Sequence, residues 1–247
     1  MEIIRLDTAD STNSWVISHE KELPQTALVY CNTQTAGRGQ RGNSWESAPG
    51  KNITASLIFH PKNFPAQDQF AISESIALGI VDFLKKLGVE ARIKWPNDIY
   101  VEDKKICGIL VEHAVVGQNI YRTVAGMGIN INQTEFVSDA PNPVSLKQLT
   151  GKHYDIAEMV EKLAGELQRN ITSLQDLEEF RKGEGYHSAF LDSLWRNDGN
   201  FHPFFDRKAN EEIYAKIYEV APSGVLTLRA RSGENREYYF KEVEFLL

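Results

Sequence analysis

The 247-residue chain has few cysteines and no long apolar run. Its two cysteines, Cys31 and Cys107, each lie in an apolar segment and neither belongs to a CxxC pair, which argues against a disulfide scaffold and against a zinc site. The six histidines lack the spacing of metal ligands. No stretch approaches the length of a membrane span, and the first residues resemble no signal peptide. These features predict a cytoplasmic protein without a membrane anchor.

The chain also lacks an excess of basic residues. Its net charge is −7 with the histidines neutral, opposite in sign to the broad basic surface that DNA-binding proteins carry. We therefore expect no nucleic acid partner. The net charge of the whole chain still allows a single basic loop, because it does not describe the charge of one local patch.

Apolar periodicity predicts an α+β fold. Compact apolar runs over 26–33 and 52–60 predict buried strands, and helical spacing predicts helices over 68–87 and 155–180. From about residue 201 short strands alternate with turn sequences. We therefore predict a mixed β-sheet with helices on one side in a domain over 1–198, and a small β-barrel-like domain over 199–247.

A glycine-rich segment over 35–47 has the spacing of a dinucleotide-binding turn, with Gly37, Gly39 and Gly42 as its glycines. A Rossmann turn requires a helix at the last glycine, but Pro49 and Gly50 follow here and then a strand. A Walker phosphate loop also fails, because the required glycine spacing is missing. The segment is therefore not a nucleotide-binding turn of either type.

What remains is a loop whose glycines free the backbone and which presents Arg38 and Arg41. Guanidinium groups bind carboxylates and phosphates in a two-pronged geometry. Such a loop could order over an anionic ligand and exclude water from a reactive intermediate. The alternative is a solvated surface loop with incidental charges, and the segment alone does not decide between them.

A second group of polar residues follows a predicted strand in Lys94-Trp-Pro-Asn-Asp98. Asn97 and Asp98 offer hard oxygen atoms of the kind that magnesium–nucleotide sites use. Lys105, after a predicted hairpin turn at 102–104, could neutralise a carboxylate or a developing phosphate charge. Taken singly, each of these residues could be an exposed polar residue without a function.

Together these segments resemble the biotin protein ligases. The resemblance covers most of residues 7 to 132, in order: Asp10-Ser-Thr-Asn13, 34–42 with Trp45, Lys94-Trp-Pro-Asn-Asp98, 105–112 and Gly126-Met-Gly-Ile-Asn130. It implies a class II synthetase-like catalytic domain, the type shared by biotin and lipoate ligases. The C-terminal region resembles these enzymes only in its alternation of short predicted strands and turns.

The resemblance implies ATP-dependent chemistry in two steps. Biotin and ATP, with Mg²⁺, give biotinyl-5′-AMP, and the ε-amine of a lysine on a biotin carboxyl carrier protein then attacks this mixed anhydride. No tightly bound prosthetic group is implied. A carboxylate that approaches a phosphate meets like-charge repulsion, which a metal ion and fixed cations offset.

The resemblance also implies roles for individual residues. It assigns catalysis to Lys105, Arg38, Lys94 and Asp98, with Asp98 as the candidate magnesium ligand. It places Ser11, Thr12, Gln34, Gly37, Arg38, Lys105, Gly108, Gly126 and Gly128 around biotin. It places Arg41, Trp45, Asn97 and Asn130 on the ATP side.

The chain departs from the family pattern at Gln40 and Asn43, where many bacterial relatives have arginine. We therefore expect Arg38 and Arg41 to carry more of the anion binding. The Asp-Ser-Thr-Asn motif begins at residue 10, which predicts a ligase without the DNA-binding repressor domain of some relatives. Whether the protein forms a homodimer stays open. The rival functions are a lipoate–protein ligase and a non-catalytic biotin or nucleotide sensor.

Overall fold

The computed structural model describes residues 1–137, 142–172, 174 and 184–247. Its larger sheet contains β1 (Glu2–Ala9), β2 (Thr26–Gln34), β3 (Ile53–Phe59), β4 (Phe64–Pro65), β5 (Arg92–Lys94), β6 (Asp98–Val101), β7 (Lys104–Val116) and β8 (Asn119–Ile129). The strand order is β1-β2-β3-β8-β7-β6-β5, and β4 pairs with β8. Strands β1 and β2 are parallel and the other neighbours antiparallel, so the predicted mixed sheet is confirmed.

Helices cover both faces of this sheet. They are α1 (Thr12–Ser18), α2 (Gln69–Lys86), α3 (Leu146–Thr150), α4 (Ile156–Thr172) and α5 (Glu184–Asp192). The predicted helix over 155–180 is present as α4, and most of its remainder lies outside the described residues. Among those described, no helix is long and apolar enough to cross a membrane.

The expectation that the helices lie on one side of the sheet is wrong. Side chains alternate between the faces of a strand, so Leu28 packs into the core that contains α2 and α4, whereas Val29 packs against Val16 of α1 on the other face. The short helix α1 contributes only a small apolar cluster. Its position nevertheless matters, because it leaves the end of that face open beside the glycines of β8.

The C-terminal region forms a separate antiparallel sheet, as predicted for a small β domain. Its strands are β9 (His202–Asp206), β10 (Glu211–Val220), β11 (Leu226–Ala230), β12 (Asn235–Tyr238) and β13 (Val243–Phe245), in the order β12-β11-β10-β9-β13. The boundary after residue 198 stays a prediction.

The two sheets are joined at the Lys94-Trp-Pro-Asn-Asp98 segment. The indole Nε1 of Trp95 donates a hydrogen bond to the Gly224 carbonyl at 3.0 Å, and its ring meets that of Phe240 edge to face at 5.3 Å between centroids. The Arg196 guanidinium also donates to the Leu246 carbonyl at 2.6 Å. The C-terminal sheet is therefore held directly against a segment that the sequence associates with the nucleotide.

Replacing Gly224 with alanine should destabilise this junction strongly. Gly224 has φ +88°, and a Cβ there would lie 2.7 Å from the ring of Phe70. We expect a loss of about 3 kcal/mol in the free energy of unfolding, because left-handed backbone strain adds to a steric clash in the core. Urea denaturation measures it.

Gly233 is a matched control, because it has φ +92° and no heavy atom lies within 4 Å of the position that a Cβ would take there. Gly233→Ala should lose only about 1 kcal/mol from backbone strain. Equal losses in the two variants would show that contact with Phe70 contributes nothing.

Candidate active site

A large cavity opens at the end of the main sheet, on the face that carries α1. Its volume is about 1030 Å³. Its walls come from β3, β7 and β8, from the start of α1, from the glycine-rich segment and from the C-terminal sheet. The face is set by strand alternation, because Ser56 lies two residues from Ile58, and Gly126 two residues from Val124, and both apolar residues pack toward α1.

The structure brings almost all of the predicted site residues to this cavity. They are Ser11, Thr12, Gln34, Arg38, Trp45, Lys94, Asn97, Asp98, Lys105, Gly108, Gly126, Gly128 and Asn130. Gly37 is not on the wall, but its carbonyl accepts a hydrogen bond from the Trp45 amide at 2.9 Å. The side chain of Arg41 lies outside the described part of the chain. The juxtaposition is observed, and the individual roles stay predictions.

One end of the cavity is neutral and rich in hydrogen-bonding groups. The Thr12 amide and hydroxyl both donate to Gln34 Oε1, at 3.0 and 3.3 Å. Ser11 occupies the N-cap position of α1, but its side chain makes no capping hydrogen bond. Its buried hydroxyl lines the cavity instead. This end suits a neutral polar ligand group.

Glycines form the floor beneath the indole of Trp45. A Cβ at Gly128 would lie 2.1 Å from the Trp45 ring, and a Cβ at Gly108 would lie 3.0 Å from it. A Cβ at Gly126 would lie 2.3 Å from Asn13 Oδ1. Adjacent strands β7 and β8 therefore carry glycine because other side chains pack directly on their backbones.

A charged corner lies beside this floor. The Lys105 ammonium lies 2.7 Å from Asp98 Oδ1, in a pair whose side chains are both about one-fifth exposed, 23% and 21%. The hairpin of β6 and β7 creates this contact, because it places Lys105 opposite Tyr100, two residues from Asp98 on β6. The amide of Asn97 donates to the Ile109 carbonyl at 2.5 Å, which fixes the turn. A cation is thus held at the cavity wall by an adjacent carboxylate.

The ammonium of Lys94 is surrounded instead by aromatic rings. Its ammonium donates to the Tyr100 hydroxyl at 3.1 Å and lies 4.8 Å from that ring's centroid, 5.9 Å from that of Trp195 and 5.7 Å from that of Phe245. Burial lowers the pKa of Lys94, and the Asp98 carboxylate opposes that shift. Burial likewise raises the pKa of Tyr100, so its phenol stays protonated.

Two buried polar atoms at the cavity have no hydrogen-bond partner among the described residues. They are the indole Nε1 of Trp45 and Oδ1 of Asn130. The amide of Asn130 donates to the Val144 carbonyl at 3.2 Å, so only its oxygen is unused. A buried donor or acceptor without a partner costs free energy, which a bound ligand with complementary groups would recover.

Cys107 lies behind the wall and takes no part in this arrangement. Cys31 and Cys107 are both buried and free. Burial raises the pKa of the Cys107 thiol far above its ordinary value, so a reactive thiolate is disfavoured. The cysteines behave as small apolar core residues.

Several residues of the site were not predicted from the sequence. Asn13 lines the cavity, and Glu112 and Ser56 bond to Asn13 without lining it. Asn13 and Glu112 belong to the recognised segments but have no predicted role, and Ser56 belongs to no motif. From the C-terminal sheet, Arg207 and Lys241 reach the cavity rim. No motif surrounds these two cations, so only the folded chain reveals that the small domain completes the wall.

The chain belongs to the biotin/lipoate A/B protein ligase family, whose model matches residues 6–130. It is 39% identical over 129 residues to the bifunctional ligase/repressor BirA of Escherichia coli, a match that covers 51% of this chain and 39% of that protein. The matched part thus spans well under half the length of that relative. A biotin–[acetyl-CoA-carboxylase] ligase of Paracoccus denitrificans is 29% identical over 237 residues, covering 92% of this chain and 94% of that one.

The fold matches that of a solved structure over nearly its whole length. A biotin protein ligase from Aquifex aeolicus in complex with biotin and ATP superposes with a TM-score of 0.78, covering 99% of this chain and 98% of that one, at 22% sequence identity. The predicted α+β architecture of this class of ligase is therefore confirmed.

Proposed function

We propose that the protein is a biotin–[acetyl-CoA-carboxylase] ligase, which forms biotinyl-5′-AMP from biotin and ATP and transfers biotin to a lysine of a biotin carboxyl carrier protein. The observation that carries this proposal is the division of one cavity into a neutral hydrogen-bonding end and a cationic corner, joined at Lys105. Biotin has the matching parts, a neutral ureido ring and a carboxylate at the end of an apolar chain. The family's named members support the same activity.

The neutral end would hold the ring system. Ser11, Thr12 and Gln34 offer donors and acceptors that complement a ureido group. Gly126 and Gly128 would contribute to the biotin site by letting Asn13 and Trp45, which also line the cavity, pack directly on the β8 backbone. Such buried hydrogen bonds orient the ligand, so that its carboxylate extends toward Lys105. Orientation of this kind lowers the barrier for attack on the α-phosphate.

The cationic corner would supply the electrostatic part of catalysis. Lys105 would neutralise the biotin carboxylate during its approach to ATP and then the developing charge on the phosphate. Asp98 holds the ammonium in place through the 2.7 Å ion pair. Arg38, Lys94 and the rim residue Arg207 would add positive charge around the same point.

On the ATP side, Trp45, Asn97 and Asn130 are the candidate contacts. The unpartnered indole N–H of Trp45 and the unpartnered carbonyl of Asn130 would find partners on the nucleotide. Arg38 and Arg41, on the glycine-rich loop, would shield the adenylate from water. Gly37 would support this loop through its bond to the Trp45 amide.

A magnesium ion fits the site only if the protein and the phosphates of ATP share its coordination. No group of three or more His, Cys, Asp or Glu side chains able to hold a metal ion occurs among the residues described. Mg²⁺ in nucleotide sites is commonly held by one or two carboxylates together with phosphates and waters, and Asp98 could supply one such carboxylate. When bound, the ion would neutralise phosphate charge.

The two alternative functions are a lipoate–protein ligase and a non-catalytic biotin or nucleotide sensor. A lipoate ligase belongs to the same family, and a sensor would not need the Lys105–Asp98 pair. We propose a catalytic domain over 1–198 and a C-terminal domain over 199–247, which adds Arg207 to the nucleotide end. Two free buried cysteines suit a reducing compartment such as the cytoplasm.

One assay separates these functions. Exchange of labelled pyrophosphate into ATP should depend on biotin, and should be absent with lipoate or with neither acid. Exchange with lipoate alone would identify a lipoate ligase. Biotin binding by calorimetry without any exchange would identify a sensor.

A further inference from the structure

Glu112, on β7, is the acidic side chain that pairs with Arg38 of the glycine-rich loop. Arg38 Nη2 donates to Glu112 Oε2 at 2.5 Å, and the amide of Asn13 donates to the same oxygen at 2.7 Å. The two donors come from different segments, the glycine-rich loop and the start of α1. One oxygen atom therefore connects the loop to the helix.

The carboxylate is anchored on the α1 side. Asn13 is only 3% exposed, and its amide also donates to the Leu110 carbonyl at 3.2 Å. The side chain of Arg38, in contrast, is 43% exposed. Because one partner is fixed in the protein interior and the other is at the surface, Glu112 positions Arg38 rather than the reverse.

The polar contacts of Asn13 extend to the neutral end of the cavity. Ser56 Oγ lies 2.5 Å from Asn13 Oδ1 and 2.7 Å from Thr12 Oγ1, and Thr12 bonds to Gln34. Gly126 permits this packing, because a Cβ there would collide with Asn13. Polar contacts thus connect Gln34 to Arg38, and the buried members of this set, Thr12, Asn13 and Ser56, provide a rigid anchor for the partly exposed Glu112 carboxylate.

We infer that Glu112 is a positioning residue, which holds Arg38 of the loop against the cavity wall and ties it to the side chains at the neutral end. The inference rests on the proposed function for its consequence, retention of the adenylate, but not for the loop contact itself. An ion pair with one exposed partner is weak enough to open when ligands enter and leave. An ion pair of this strength holds the loop reversibly.

The test uses Glu112→Gln, which keeps the shape of the side chain and removes its charge. In the ligand-free protein, trypsin should cleave the bond between Arg38 and Gly39 about fivefold faster than in the parent chain, the factor that one exposed ion pair can supply. Glu112→Asp, which keeps the charge, should be cleaved more slowly than Glu112→Gln. Unchanged cleavage in Glu112→Gln would overturn the inference.

The control is Glu158→Gln, which removes another surface ion pair, with Lys162 on α4. It should leave cleavage at Arg38 unchanged. Thermal melting of each variant shows whether faster cleavage reflects loop release or global unfolding. If melting drops and cleavage rises equally at sites across the chain, the positioning role is wrong.

The second readout is the rate at which bound biotinyl-AMP dissociates. Glu112→Gln should raise this rate about fivefold. In an Arg38→Ala background the same change should have no further effect, because the partner is already absent. Equal effects in both backgrounds would overturn the inference. If the parent chain forms no adenylate but the trypsin result holds, the ligase proposal fails and the loop contact stands.

Discussion

Replacing Lys105 with methionine should lower biotin-dependent pyrophosphate exchange by about a thousandfold, the effect of removing a preorganised charge from a developing oxyanion. Methionine keeps the length and apolar part of the side chain and removes the ammonium. The Lys105–Asp98 pair would be lost, which leaves a carboxylate where the biotin carboxylate must arrive. The like-charge repulsion would then be uncompensated.

Lys104 provides the matched control for this substitution. It is the preceding residue on β7, it is exposed, and it does not line the cavity. Lys104→Met should therefore change exchange by less than about twofold, as surface substitutions away from a site usually do. Calorimetry with biotin alone separates binding from chemistry. A loss of less than about tenfold in Lys105→Met would contradict the catalytic assignment of Lys105.

The second large effect is expected from Gly128→Ala. The added methyl group would overlap the Trp45 indole, which lies 2.1 Å from the position of the new Cβ. Either Trp45 or β8 must shift, and both border the cavity. We expect the exchange rate to fall by about a hundredfold, because displacements of about 1 Å have this effect on aligned reactants. The KM for ATP should rise more than the KM for biotin.

Gly165→Ala is the control, since nothing lies within 4 Å of a Cβ at that position in α4. It should leave exchange unchanged and stabilise the protein by about 0.5–1 kcal/mol, because alanine is the better helix former. Steric conflict with Trp45 predicts in addition that Trp45→Ala and the double variant Trp45→Ala/Gly128→Ala have equal activity. A further loss in the double variant would place the effect of Gly128 elsewhere.

Most of the predicted site residues lie together at one cavity, because they occur in short local segments. Lys94, Asn97 and Asp98 lie within five positions, and Lys105 follows one hairpin later. A hairpin brings such neighbours together through local turn geometry, so Asp98 and Lys105 meet at the cavity, although their ion pair was not predicted. The role of Arg41 and the effects of Gln40 and Asn43 remain predictions.

Other features could not be predicted from local pattern. The pairing of β1 with β2 in parallel, and the packing of α1 on the face opposite α2, depend on contacts between residues far apart in the chain. Arg207 reaches the cavity only because the C-terminal sheet docks on Trp95. Glu112 had a place in a recognised segment, but its partners Arg38 and Asn13 lie 74 and 99 positions away.

The sequence by itself determined the α+β class, the small C-terminal β domain, the family resemblance and a set of candidate site residues, most of which line the cavity. Each of these is encoded in periodicity or in short runs of residues. The tertiary structure alone decided which sheet face carries the cavity, that Trp45 packs on Gly128, and that Glu112 joins the loop to α1. These depend on strand order and on side-chain contacts across the sheet, which no local pattern specifies.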